Sequence, residues 1–78
     1  MTSYWNYRII FDSRSNSYSI HEVYYNNDKP HSWSENGICP FGESLIELQE
    51  DFKMMKEAFS MPILEIKTDK DKEYLEER

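Results

Sequence analysis

The side chains that first invite a chemical reading are Asp12, His21, Glu22, His31 and Cys39, all within the first forty residues. Two imidazoles, two carboxylates and a thiol are the donor types of metal sites and acid–base catalysts. Their spacing argues against both uses. A zinc site would need a second cysteine or a tight His pair, and Cys39 is alone. On a strand, His21 and Glu22 point to opposite faces and cannot form a dyad. His31 can face His21 across a hairpin. Metal-dependent nuclease chemistry would need several convergent carboxylates. Asp12 and Glu22 can approach each other, but no third central acid is evident. A nucleophilic Cys39 would need a base and a positive field, and its surroundings are acidic. The expectation is therefore no catalytic residue, no metal and no cofactor.

The elements that carry these residues can be read in order. In "YWNYRIIFD", residues 4–12, Trp5, Tyr7, Ile9 and Phe11 alternate with Tyr4, Asn6, Arg8, Ile10 and Asp12, the period of a strand. "SRSNS", residues 13–17, is a turn. "YSIHEVYY", residues 18–25, is a second strand. Its Ile20 and Val23 fall on opposite faces, so either both faces are covered or a bulge shifts the register. "NNDKP", residues 26–30, is a further turn signal. "HSWSEN", residues 31–36, then gives a short third strand. Connections this short make an antiparallel meander.

"GICPFG", residues 37–42, leads from sheet to helix. Ser44 suits the N-cap and Glu47 completes a capping box. Leu45, Leu48, Phe52, Met55 and Phe59 recur at helical spacing and form one apolar stripe. Pro62 ends the helix near Ser60. "ILEI", residues 63–66, is able to add a short fourth strand. The fold expected is α+β: a three- to four-stranded antiparallel sheet with one amphipathic helix on one face. The domain spans residues 1–66. Residues 67–78, "KTDKDKEYLEER", hold few apolar side chains, so a frayed helix or disordered tail is expected there.

The order β-β-β-α and the segment Gly42-Glu43-Ser44-Leu45-Ile46-Glu47-Leu48 resemble the HicB-like antitoxins. The resemblance covers roughly residues 4–66. It implies a degenerate, non-catalytic RNase H-like half that binds and blocks a small basic RNase toxin. Many such antitoxins also carry a C-terminal DNA-binding unit, for which the residues after 66 leave no room.

Composition sets the class of partner. The chain of 78 residues has a formal net charge of -6, and residues 41–78 hold eleven acidic against six basic side chains. Such a surface repels phosphate backbones and suits a basic protein. Glu43, Glu47, Glu50, Asp51 and Glu57 form the candidate docking face. Phage-type inhibition of a nucleic-acid enzyme fits the same charge. A lone thiol and no apolar run near ~20 residues fit a cytosolic protein without disulfides or membrane span. Ten of the twelve aromatic residues lie outside the helix. With one helix covering one sheet face, Tyr4, Ile10, His21, Val23 and Tyr25 are expected to be exposed on the other, as the seat of a homodimer or protein partner.

Overall fold

A computed structural model describes residues 3–78. The chain forms β1 (Ser3–Asp12), β2 (Ser17–Asn26), β3 (Lys29–Trp33), α1 (Leu45–Lys56), a 3-10 turn (Glu57–Ser60), β4 (Leu64–Asp69) and β5 (Lys72–Glu77). It is an α+β fold with one sheet in the order β3-β2-β1-β4-β5. No helix among the described residues is long and apolar enough to cross a membrane.

The expected meander forms, but its third strand is Lys29–Trp33 and not residues 31–36, because the turn is only two residues long. β1 and β2 pair antiparallel over their whole length, from Ser3 opposite Asn26 to Asp12 opposite Ser17. β3 follows through a two-residue turn, Asn27-Asp28, with φ of 54 and 65°. Both positions are left-handed, the geometry that a tight hairpin demands and that Asn and Asp tolerate. The ladder between β2 and β3 shifts register at Tyr24 and Tyr25.

Beyond the helix the structure departs from expectation. β4 pairs with β1 in parallel, with Ile10 opposite Leu64 and Phe11 opposite Glu65. The sheet is therefore mixed, and the helix is the crossover that a parallel pair needs. Residues 67–78 are not a frayed helix or disordered tail. They complete β4 and form β5, which pairs antiparallel with β4 from Leu64 opposite Glu77 to Asp69 opposite Lys72. One well-placed apolar side chain anchors this strand: Leu75 is buried against Leu64 and Ile10 in one cluster. The turn is Lys70-Asp71, again left-handed at both positions. Its composition lacks the usual Asn-Gly signal, which is why the sequence conceals it.

Two small cores lie on the two sides of the sheet. Tyr7, Ile9, Met55 and Ala58 form one beneath the helix end, with Ile20, Ile38 and Ile63 packed against them. Ile10, Val23, Tyr25, Leu64 and Leu75 form the other, flanked by Trp33 and Ile66. Strand twist explains the second core. The sheet coils until its outer strands β3 and β5 touch, so this face closes on itself. Ile20 and Val23 thus belong to different cores, and both faces of β2 are covered.

Candidate functional site

The sheet face expected to receive a partner is already filled. Ile10, Val23, Tyr25 and His21 are buried, and only Tyr4, at 45%, remains open. Tyr4 stacks flat on Tyr25, with ring centroids 4.7 Å apart. Arg8 is buried on this side as well. Its guanidinium donates to the Tyr25 hydroxyl at 2.8 Å and to the Pro62 carbonyl at 2.7 Å, which ties β1 to the start of β4. The exposure expected of these five residues is corrected for Ile10, His21, Val23 and Tyr25, which the coiled sheet and β5 cover.

At one end of the coil the strands leave a polar cleft of about 730 Å³, lined among others by Asp12, Arg14, Ser19, His21, His31 and Glu73. Both histidines do meet the same cleft. His21 is fixed by hydrogen bonds to Ser19 and Ser34. Its Nδ1 lies 2.8 Å from the Ser34 carbonyl, which only accepts, so Nδ1 carries the proton. Nε2 lies 2.7 Å from the Ser19 hydroxyl oxygen. This resembles a nucleophile–base pair, yet nearby backbone N–H groups are engaged elsewhere. Ser34 N–H donates to the Glu22 carbonyl and Ile38 N–H to the Ile20 carbonyl. Those two donors are thereby committed to β2. The arrangement instead straps residues 34–38 along β2.

Arg14 bridges this cleft. It holds Asp12 at 3.0 Å and Glu73 at 3.0 Å, linking the β1–β2 turn to β5. The Arg14 hydrogen bonds hold the Asp12 carboxyl below its usual range. Glu22 lies on the opposite sheet face, where it accepts from the Tyr24 hydroxyl. The approach of Asp12 and Glu22 expected from the sequence therefore does not occur. No cluster of three or more metal-ligating side chains exists among the described residues. Cys39 is exposed.

The helix offers the larger surface. Ser44 caps it as expected, its side chain accepting from the Glu47 N–H at 3.2 Å. Gly42 lies so close that an added Cβ would sit 2.3 Å from the Leu48 nitrogen. The apolar stripe, however, does not lie on the sheet. Only Met55 of α1 is buried. Leu45 is 69% exposed, Phe52 58% and Phe59 68%, with Ile46, Leu48 and Met54 also open. The helix rests on the sheet through Met55 and the following Ala58, and its N-terminal half overhangs. Phe41, just before it, is 71% exposed. A shallow groove of about 850 Å³ runs along this flank between Pro40, Ile46, Leu48, Phe52, Lys53 and Lys56.

The acidic docking face divides. Glu43, Glu47, Glu50 and Glu57 are exposed, although Glu47 also serves the cap. Asp51 is turned inward, accepting from the Tyr7 hydroxyl at 2.7 Å and from the Phe41 N–H at 2.8 Å. Both bonds favour the charged carboxylate, and the Asp51 pKa lies below its usual range. Burial, and then the same bond, raise the Tyr7 phenol to about 12. Asp51 is therefore a strap between helix, sheet and loop, and leaves the docking set. Ion pairs among the described residues join Arg14 to Asp12 and Glu73, and Glu65 to Lys67 and Arg78. None lies on the helix, so Lys53 and Lys56 have no ion-pair partner among the described residues.

The sequence showed the stripe but not its exposure, which depends on how little of the helix the sheet reaches. Comparison with family models, curated proteins and solved structures found no match for this chain.

Proposed function

We propose that this chain is a protein-binding module whose contact surface is the apolar flank of α1. One observation carries the reading: Phe41, Leu45, Ile46, Leu48, Phe52 and Phe59 are all exposed around a helix of 12 residues. Contiguous apolar surface on a domain this small marks association, and aromatic side chains supply much of the energy at interface centres. Exposed Glu43, Glu50 and Glu57, with Lys53 and Lys56, provide a charged rim.

Site-directed photo-crosslinking in producing cells tests the reading. A crosslinker replacing Ile46 or Phe52 should give discrete protein adducts. The same group replacing Lys72 on β5 should give none. Adducts absent from the helix positions, or equal at all three, would remove the helix flank as a binding surface.

The net charge of -6 favours a second reading, in which the partner is basic and is neutralised by occlusion. A HicB-like antitoxin blocking an RNase, or an inhibitor of another nucleic-acid enzyme, would act this way. Co-expression with a basic protein from an adjacent gene, with RNA and DNA cleavage measured, tests it. Undiminished cleavage would exclude neutralisation of that protein.

A further inference from the structure

Two separate depressions flank α1, and they differ in charge. One holds Glu43, Glu47 and Asp51 with Phe41 and Met54. The other is the groove of about 850 Å³ that holds Ile46, Leu48, Phe52, Lys53 and Lys56. Glu50 stands on the border and lines both. Lys53 and Lys56 are the only lysines or arginines between Lys29 and Lys67, and both fall on the groove. Neither makes an ion pair among the described residues. With two lysines against Glu50, the groove is an apolar, net cationic site on a chain of net charge -6.

The form of the groove limits what fits. Leu48, Phe52 and Lys56 follow at helical spacing on one face and make one row. Ile46, Gln49 and Lys53 line the groove beside them. From residue 46 to residue 56 the axis rises ~15 Å, roughly three turns. A second helix of that length seats a side-chain ridge between such rows, at the ~8–10 Å axial distance of packed helices. An apolar stripe on it would cover Ile46, Leu48 and Phe52, all of which are exposed. Lys53 and Lys56 sit toward the C-terminal end of the groove, where carboxylates on the incoming helix match them. An anionic bilayer fits less well. It is a broad plane that would meet Glu50 and Glu57 along with the lysines, whereas a single helix meets the groove alone.

We propose that this groove receives an acidic amphipathic helix of another protein, with its apolar side chains on Ile46, Leu48 and Phe52 and its carboxylates on Lys53 and Lys56. The contact is of the helix-in-groove kind. The proposal rests on the reading of the α1 flank as a binding surface, and names the chemistry of the partner. It separates that partner from a basic protein, which would meet Glu43 and Glu47 at the other depression.

Selection from a displayed peptide library on the whole chain tests the proposal. The library holds amphipathic helices of about five turns, apolar on one face and randomised among Asp, Glu, Lys, Arg, Asn and Gln on the other. Enriched peptides should be acidic, and synthetic copies should bind in fluorescence anisotropy. Lys53→Glu with Lys56→Glu should weaken them on the order of tenfold at low salt, and by less as salt rises. Phe52→Glu should abolish binding with an unchanged far-ultraviolet spectrum. Met54→Ser, in the other depression, should leave it unchanged. Neutral or basic peptides that still require Phe52 would overturn the acidic occupant and leave the flank a binding surface. Peptides indifferent to Phe52→Glu would overturn both. No enrichment would overturn the proposal; binding to phosphatidylglycerol vesicles, lost on Lys53→Glu with Lys56→Glu, would then assign the groove to a lipid surface.

Discussion

Replacing Tyr7 by Phe and Asp51 by Ala, singly and together, measures what holds the helix to the sheet. The Tyr7 ring is buried beneath the helix end, and its hydroxyl gives Asp51 a bond of 2.7 Å. A hydrogen bond to a charged group contributes about 1.5–3 kcal/mol. Water reaches Asp51, so Tyr7→Phe should cost near the lower figure, ~1.5 kcal/mol. Asp51→Ala also frees the Phe41 N–H and should cost more, ~2–3 kcal/mol. The double variant should fall short of the sum by ~1 kcal/mol, the coupling expected of direct partners. Urea denaturation read by circular dichroism gives each value. Strict additivity would show that the bond contributes nothing.

The pH dependence follows from the same pair. The lowered Asp51 pKa contributes stability that is present above its unfolded value near ~4 and is lost as pH falls through the folded value. The raised Tyr7 pKa contributes stability that is full below ~10 and is lost as pH rises through about 12. Wild-type protein should therefore lose more stability than Asp51→Ala on acidification below ~4. In an absorbance titration, Asp51→Ala should lower the Tyr7 midpoint only in part, because burial is the larger cause of its rise. A midpoint that does not move would refute the coupling.

Three further outcomes follow from the fold. Lys70→Asn with Asp71→Gly should raise stability by ~1 kcal/mol, since Lys70 at φ 51° holds a strained left-handed position; an unchanged melting temperature would mean the turn stores no strain. Leu75→Ala should cost ~2–4 kcal/mol, because Leu75 belongs to the core inside the coiled sheet; a loss below ~0.5 kcal/mol would mark β5 as dispensable. Gly42→Ala should cost ~2 kcal/mol, because its Cβ meets backbone of the first helical turn; an amide spectrum unchanged around Leu48 would contradict that clash.

What the sequence disclosed was local. The alternation of β1, the capping box of Ser44 and Glu47, and the helix end before Pro62 depend on neighbours within a few residues. What it concealed depends on distant ones. Nothing near residue 64 says that Leu64 will lie beside Ile10 in parallel. The charged run 67–78 reads as unable to fold because its one buried residue, Leu75, draws its contacts from β1, β2 and β4. Coiling of the sheet, a property of the assembled strands, turned Ile10, His21, Val23 and Tyr25 inward and removed the candidate face. Asp51 read as one acid among five, since only the tertiary fold brings Tyr7 and Phe41 to it. The apolar stripe was legible, whereas its failure to find cover within the chain was not.

The parallel seam between β1 and β4 divides the molecule unequally. β1 and β2 share ten opposed positions, and β4 and β5 share six, but the register that joins the two hairpins spans only Ile10 with Leu64 and Phe11 with Glu65. Each hairpin is sequence-local, whereas the seam closes a loop of more than fifty residues. Native-state hydrogen exchange should resolve this as two cooperative units. The amides of residues 64–77 should open together at a lower free energy than those of β1 and β2. Such an opening uncovers Ile10 and Val23 while leaving the first hairpin intact, so a sheet edge becomes available transiently without global unfolding.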